Sequence, residues 1–150
     1  MYDHRVILIF SFVASLLLAA DRPARPALVV QAPDSPVRMA HVTILTPPDG
    51  PPVVLYEATN TTDEAIDQFT VMAFVFSSDG DLKARQVAPA RRTLDARGSK
   101  YSTLVLDGST IEPNDAVVIG VNQVQRVNSD AWWRADLQPA AEAAVPRKKK

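Results

Sequence analysis

Between Arg38 and Leu137 the chain is cut into short apolar runs by turn-forming residues. No window of about eleven residues there carries the 3.6-residue apolar period of a helix. The runs are Val42–Thr46, Val53–Asn60, Asp67–Ser77, Leu82–Val87, Lys100–Leu106, Ala116–Val127 and Trp132–Leu137. Between them stand Pro47-Pro48-Asp49-Gly50-Pro51-Pro52, Thr61-Thr62-Asp63-Glu64, Ser78-Asp79-Gly80-Asp81, Asp107-Gly108 and Pro113-Asn114-Asp115. Val53–Asn60 alternates, with Val54, Tyr56 and Ala58 on one face, and the Asp-Gly step after Ser77 is a hairpin signal. About seven strands so closely spaced leave no room for crossover helices, so the pattern predicts an all-β, antiparallel sandwich or barrel. A hydrophobic fraction of 47% is ordinary for a packed core.

The strand Asp67–Ser77 is apolar on both faces. Phe69, Val71, Ala73 and Val75 lie on one side, and Met72, Phe74 and Phe76 on the other. A sandwich strand ordinarily turns polar residues outward, so this second face requires a cover. The expected cover is internal, from the proline-rich approach or the C-terminal segment. A partner protein on Phe74 and Phe76 is the alternative.

The amino terminus reads as an address. Val6–Ala20 is a 15-residue run without charge or proline, preceded by Arg5 and stopped by Asp21-Arg22-Pro23. As a helix it is about 22 Å long, short of the roughly 30 Å hydrocarbon core of a bilayer. A charged start, a short apolar stretch and small residues at its end describe a secretory signal peptide. Leu18 stands where a small residue suits the cleaving enzyme, so a retained signal anchor, tethering the chain to the membrane through Val6–Ala20, is the alternative. Residues 21–37 follow, with Pro23, Pro26, Pro33 and Pro36 at short intervals. They are expected to form a semi-rigid spacer of about 3.1 Å per residue, with room for a short edge strand at Leu28-Val29-Val30. The resulting organisation is 1–20 signal or anchor, 21–37 linker, 38–137 β domain, and 138–150 an Ala-rich then basic, disordered tail. Within that tail Pro139–Val145 has the composition for two helical turns, which need packing to persist in water.

The strand-and-turn pattern VVLYEATNTTDEAIDQFTVMAFVFSSDG, followed by VVIGVNQV and then a Trp, resembles small immunoglobulin-like sandwich domains of exported bacterial proteins. The resemblance spans about 95 residues and implies a fold; such sandwiches serve many unrelated roles. The cysteines of antibody domains are absent, because the chain has no Cys.

The lack of Cys also removes disulfides, thiolate catalysis, iron–sulfur clusters and Cys-based zinc sites. His4 and His41 are the two histidines, too few for a His-rich metal centre, and no metal or other cofactor is expected. His41 reads as a strand-edge residue, and no G-x-S-x-G motif accompanies it. Asp79-Gly80-Asp81 reads as a hairpin tip, since Leu82, Ala84 and Val87 offer no side-chain ligands for Ca²⁺. Asn60-Thr61-Thr62 fits the N-glycosylation pattern and reads as a turn.

Charge is unevenly placed. Residues 38–137 carry nine bases and thirteen acids, yet Lys83, Arg85, Arg91, Arg92, Arg97 and Lys100 face only Asp95 within residues 82–100. Such a strip, with Arg91 and Arg92 at its centre, is a solvated segment or a surface for an anionic partner. Aromatic residues are not interleaved with it, so no nucleic-acid partner is expected. The pair Trp132-Trp133 points one ring inward and one outward along a strand, and an exposed Trp stacks on a sugar or anchors a partner. The expected function is therefore non-catalytic: binding or structural association, in the envelope or outside the cell, with a protein or an envelope polymer. Phe74, Phe76, Arg91, Arg92, Trp132 and Trp133 are the candidate surface. A carboxylate-dependent hydrolase is the enzymatic alternative.

Overall fold

The computed structural model describes residues 24–88 and 92–147. The run Val6–Ala20, Arg91 and the last three lysines lie outside the described residues. Among the described residues nine strands and one helix follow in order: β1 Arg25–Pro26, β2 Leu28–Val29, β3 Val37–Leu45, β4 Val53–Asn60, β5 Ile66–Phe76, β6 Leu82–Val87, β7 Ser99–Val105, β8 Ala116–Arg126, β9 Trp132–Trp133 and α1 Leu137–Ala144. The fold is all-β in character, with antiparallel sheets and one short helix.

One sheet runs β1-β3-β4-β7 and the other β2-β8-β5-β6, with β9 also on β8. Every pairing is antiparallel except β2 with β8. Alternation decides which side chains meet. In β4, Val54, Tyr56 and Ala58 are buried, and they join Val71, Ala73 and Val75 of β5 and Val117, Ile119 and Val121 of β8 in one apolar cluster shared by both sheets. The β5–β6 hairpin turns where Asp-Gly foretells it, with Gly80 at φ 91 and its N–H donating to the Ser77 carbonyl at 2.9 Å.

The other face of β5 is covered from within the chain. Phe74, Phe76 and Val118 pack with Leu137, Ala141 and Val145 in a second cluster, flanked by Val30, Met72 and Ala116. Leu137 and Ala141, four residues apart, share one face of α1, and Val145 follows just past its carboxyl end. The tail expected to be disordered is thus a docked helix over Leu137–Ala144, because the apolar face of β5 supplies the packing that an isolated eight-residue helix lacks. Pro139 sits in its first turn, where no N–H donor is required. Gly120 lets the helix approach: a Cβ there would lie 2.6 Å from Leu137 Cδ1 and 3.0 Å from the Val30 carbonyl oxygen.

The spacer expectation also changes. From residue 24 onward the proline-rich approach belongs to the fold, with Arg25–Pro26 pairing β3 and Leu28–Val29 pairing β8. The stretch therefore laces one sheet to the other. Its prolines are tolerated because two-residue edge strands ask few donors of the backbone. Val30 N–H then donates to the Ile119 carbonyl at 3.0 Å, and the Gln31 side chain bridges the β3 backbone at Val37 and Met39.

Candidate binding groove

The two tryptophans stand on β9, registered against β8 as Trp132 opposite Val124 and Trp133 opposite Gln123. The Arg134 N–H donates to the Asn122 carbonyl at 3.0 Å and extends that pairing by one residue. Alternation then separates the rings. Trp132 is half-buried against the main core, while Trp133 is 60% exposed. Facing them is the turn at residues 32–35, closed by the Ser35 N–H on the Ala32 carbonyl at 3.2 Å.

Between these elements lies an open groove of about 390 Å³, lined by Ala32, Pro33, Asp34, both tryptophans and residues 134–136. Its polar groups are held in place. The Trp132 indole N–H donates to Asp34 Oδ2 at 3.0 Å. Arg134 donates from Nε to Asp136 Oδ1 at 3.1 Å and from Nη1 to the Val30 carbonyl at 3.1 Å. Each carboxylate therefore keeps one oxygen outside these bonds. Trp133 thus lines one groove with the Asp34 and Asp136 carboxylates, on elements anchored to the second sheet.

The other candidate residues separate from this site. Phe74 and Phe76 are fully buried beneath α1, so in this conformation they offer no surface. Arg91 lies outside the described residues. Arg92 is half-buried, with its guanidinium carbon 5.8 Å from the Tyr56 ring centroid and Nη2 donating to the Thr103 carbonyl at 2.6 Å. That places Arg92 as a brace on β7 rather than as an open cation. Burial pushes the Tyr56 phenol above its ordinary range, and the Arg92 charge opposes the rise.

The basic segment is likewise no single strip, because the fold disperses it. Lys83 donates to Asp115 at 2.6 Å, Arg97 to Asp63 at 2.7 Å, Arg85 to Gln138 at 3.4 Å and Lys100 to Thr93 at 3.3 Å. Asp115 is the buried partner: burial raises its carboxyl pKa, but Lys83, the Glu112 N–H and Arg25 together hold it below the ordinary aspartate range. A carboxyl lowered on folding releases its proton more readily in the folded state. Its contribution to stability is present at neutral pH and is lost as pH falls below about 4, through the lowered folded pKa.

His41 occupies a bulge in β3 at φ 51, exposed, with Nδ1 2.6 Å from Glu57 Oε2. Asn60 is buried with all its polar capacity used: Nδ2 donates to the carbonyls of Glu64 and Asp95, and Oδ1 accepts from the Thr62 N–H and hydroxyl. The turn reading of Asn60-Thr61-Thr62 fits this geometry. Among the described residues no three His, Asp or Glu groups converge to hold a metal ion, and no helix is long and apolar enough to cross a membrane.

Sequence reasoning singled out the tryptophans and missed Asp34, Arg134 and Asp136. The signal for Asp34 is weak, because it lies 98 residues from the indole it orients. Arg134 and Asp136 directly follow the Trp pair, and their spacing was the legible clue.

No family model matches the chain, and no curated protein matches it. A match among solved structures is the crystal structure of DesR, a beta-glucosidase from Streptomyces venezuelae in complex with D-glucose. It is 15% identical with a TM-score of 0.39, over 65% of this chain. The chain spans 14% of that protein's length, and a likeness of this order carries no argument about fold or activity.

Proposed function

We propose that the chain is an exported, non-catalytic binding domain of immunoglobulin-like connectivity, working in the cell envelope or outside the cell through the Trp132-Trp133 groove. The observation that carries the reading is an exposed Trp133 lining one groove with the Asp34 and Asp136 carboxylates. An indole combines a large apolar face with a polar edge, the combination that favours Trp at binding surfaces. Strand order supports the immunoglobulin-like part. Taking β3, β4, β5, β7, β8 and β9 as A, B, C, E, F and G puts A, B and E in one sheet and C, F and G in the other. Export rests on the apolar run Val6–Ala20 and its flanks.

A second reading keeps Val6–Ala20 as a membrane tether in a larger envelope assembly, and Leu18 at the cleavage position favours it. Fusion of alkaline phosphatase to the carboxyl end tests export in either form. The expected result is an active reporter, silenced when residues 6–20 are deleted. A silent full-length fusion, beside an active control carrying an established signal, contradicts export. The intact mass of the product separates the two forms, since cleavage removes about 20 residues.

A further inference from the structure

We infer that the groove binds a neutral glycan, with one sugar ring stacked on Trp133 and its hydroxyls donating to Asp34 and Asp136. This rests on the binding reading above and names its ligand class. A pyranose presents a flat face of C–H groups and a rim of hydroxyls, so its binding site needs an exposed aromatic face with acceptors at the edge. Trp133 supplies the face at 60% exposure. Asp34 and Asp136 line the same groove, and each has one oxygen engaged by the protein and a second outside those bonds, able to accept from a hydroxyl.

Charge narrows the choice of ligand. Arg134 is the one cation among the described residues that line the groove, and it is committed to Asp136 and the Val30 carbonyl. Asp34 leaves the site with a negative balance, which disfavours phosphate- or carboxylate-bearing polymers. A quaternary ammonium ligand is held best by several aromatic faces enclosing it. Here the Trp132 ring is half-buried with its N–H engaged, so one open face remains, a platform and not a cage. The volume of about 390 Å³ is near the lower end of the usual range for small-molecule sites, and the walls are sheet-anchored, so little ordering accompanies binding.

Two measurements on the full chain test the assignment. Calorimetric titration uses hexasaccharides of N-acetylglucosamine, of β-linked glucose and of mannose, with tetramethylammonium chloride as the cationic probe. At least one hexasaccharide is expected to bind saturably. Affinity should fall at least tenfold in Trp133→Ala and recover in part in Trp133→Tyr, with thermal unfolding of all three proteins alike. No response to any hexasaccharide, or a response to tetramethylammonium alone, overturns the glycan assignment. Retention on insoluble envelope material from the host, before and after periodate oxidation of sugar diols, separates this inference from the reading beneath it. Retention that periodate abolishes and Trp133→Ala abolishes supports both. Retention that survives periodate but is lost in Trp133→Ala overturns the glycan and leaves the groove; retention equal in Trp133→Ala and the natural chain overturns the groove as well.

Discussion

Replacing Gly120 with valine is expected to lower unfolding free energy by about 3–5 kcal/mol, with a fall in Tm of roughly 10–20 °C. The new Cβ alone would stand 2.6 Å from Leu137 Cδ1 and 3.0 Å from the Val30 carbonyl oxygen. Leu137 Cδ1 ends a flexible side chain and gives by a change of rotamer within the packed cluster or by lifting α1, while the Val30 carbonyl is backbone, pinned by the bond of its N–H to Ile119 and by Arg134 on its oxygen. Lifting α1 returns Phe74 and Phe76 to water, a loss of about 1.5–3 kcal/mol for each ring fully uncovered. Denaturant titration of Gly120→Val, Leu137→Ala and the double variant measures this directly. The double variant should cost less than the sum, because removing the Leu137 side chain removes the clash. A Gly120→Val protein as stable as the natural chain contradicts the placement of α1 over β5.

Asn60→Asp is expected to cost a similar amount, about 3–5 kcal/mol at neutral pH. The amide it replaces donates at 2.8 Å to the Glu64 carbonyl and at 3.0 Å to the Asp95 carbonyl, with no exposure to solvent. A carboxylate there faces two acceptors it cannot satisfy, and its charge is buried. Both effects raise the folded pKa of the new aspartate above its unfolded value. The folded state then binds more protons, so the deficit against the natural chain should narrow as pH falls through that raised pKa and level off below about 4. Unfolding free energies of both proteins at pH 7 and pH 4 check the sign. A deficit that widens on acidification contradicts the hydrogen-bond assignment of the Asn60 side chain.

Much of the strand pattern was legible because it is driven by alternation and turn chemistry. β4 and β6 have the residues expected of them, and β5 starts and ends one residue earlier than expected. β3 was foreseen only from Val42, because Arg38 and His41 interrupt the apolar pattern and the bulge at positive φ shifts its phase. The strand at Leu28–Val29 falls where Leu28-Val29-Val30 leaves room for a short edge strand, while Arg25–Pro26 is too short to carry any period. α1 was undervalued for a different reason: its stability comes from Phe74, Phe76 and Val118, which are remote in sequence.

The same distinction explains the site. Trp132-Trp133 is conspicuous as a pair, and strand alternation foretold one ring in and one ring out, as their burial shows. The cations of residues 82–100 cluster only along the chain, and pairing with Asp115 and Asp63 undoes the cluster in space. Asp34 acquires its place only when the amino-terminal approach folds back beside β9, a long-range event that local pattern cannot announce.

The most direct test of the central claim, that this β domain meets its ligand at the Trp groove, is an amide NMR titration of the full chain with solubilised host envelope polymer. Saturable shifts confined to residues 32–35, 122–124 and 132–136, together with the Trp133 indole resonance, are expected. Shifts centred on the outward residues of the first sheet, such as Tyr101 and Val105, with the groove resonances unmoved, would contradict it.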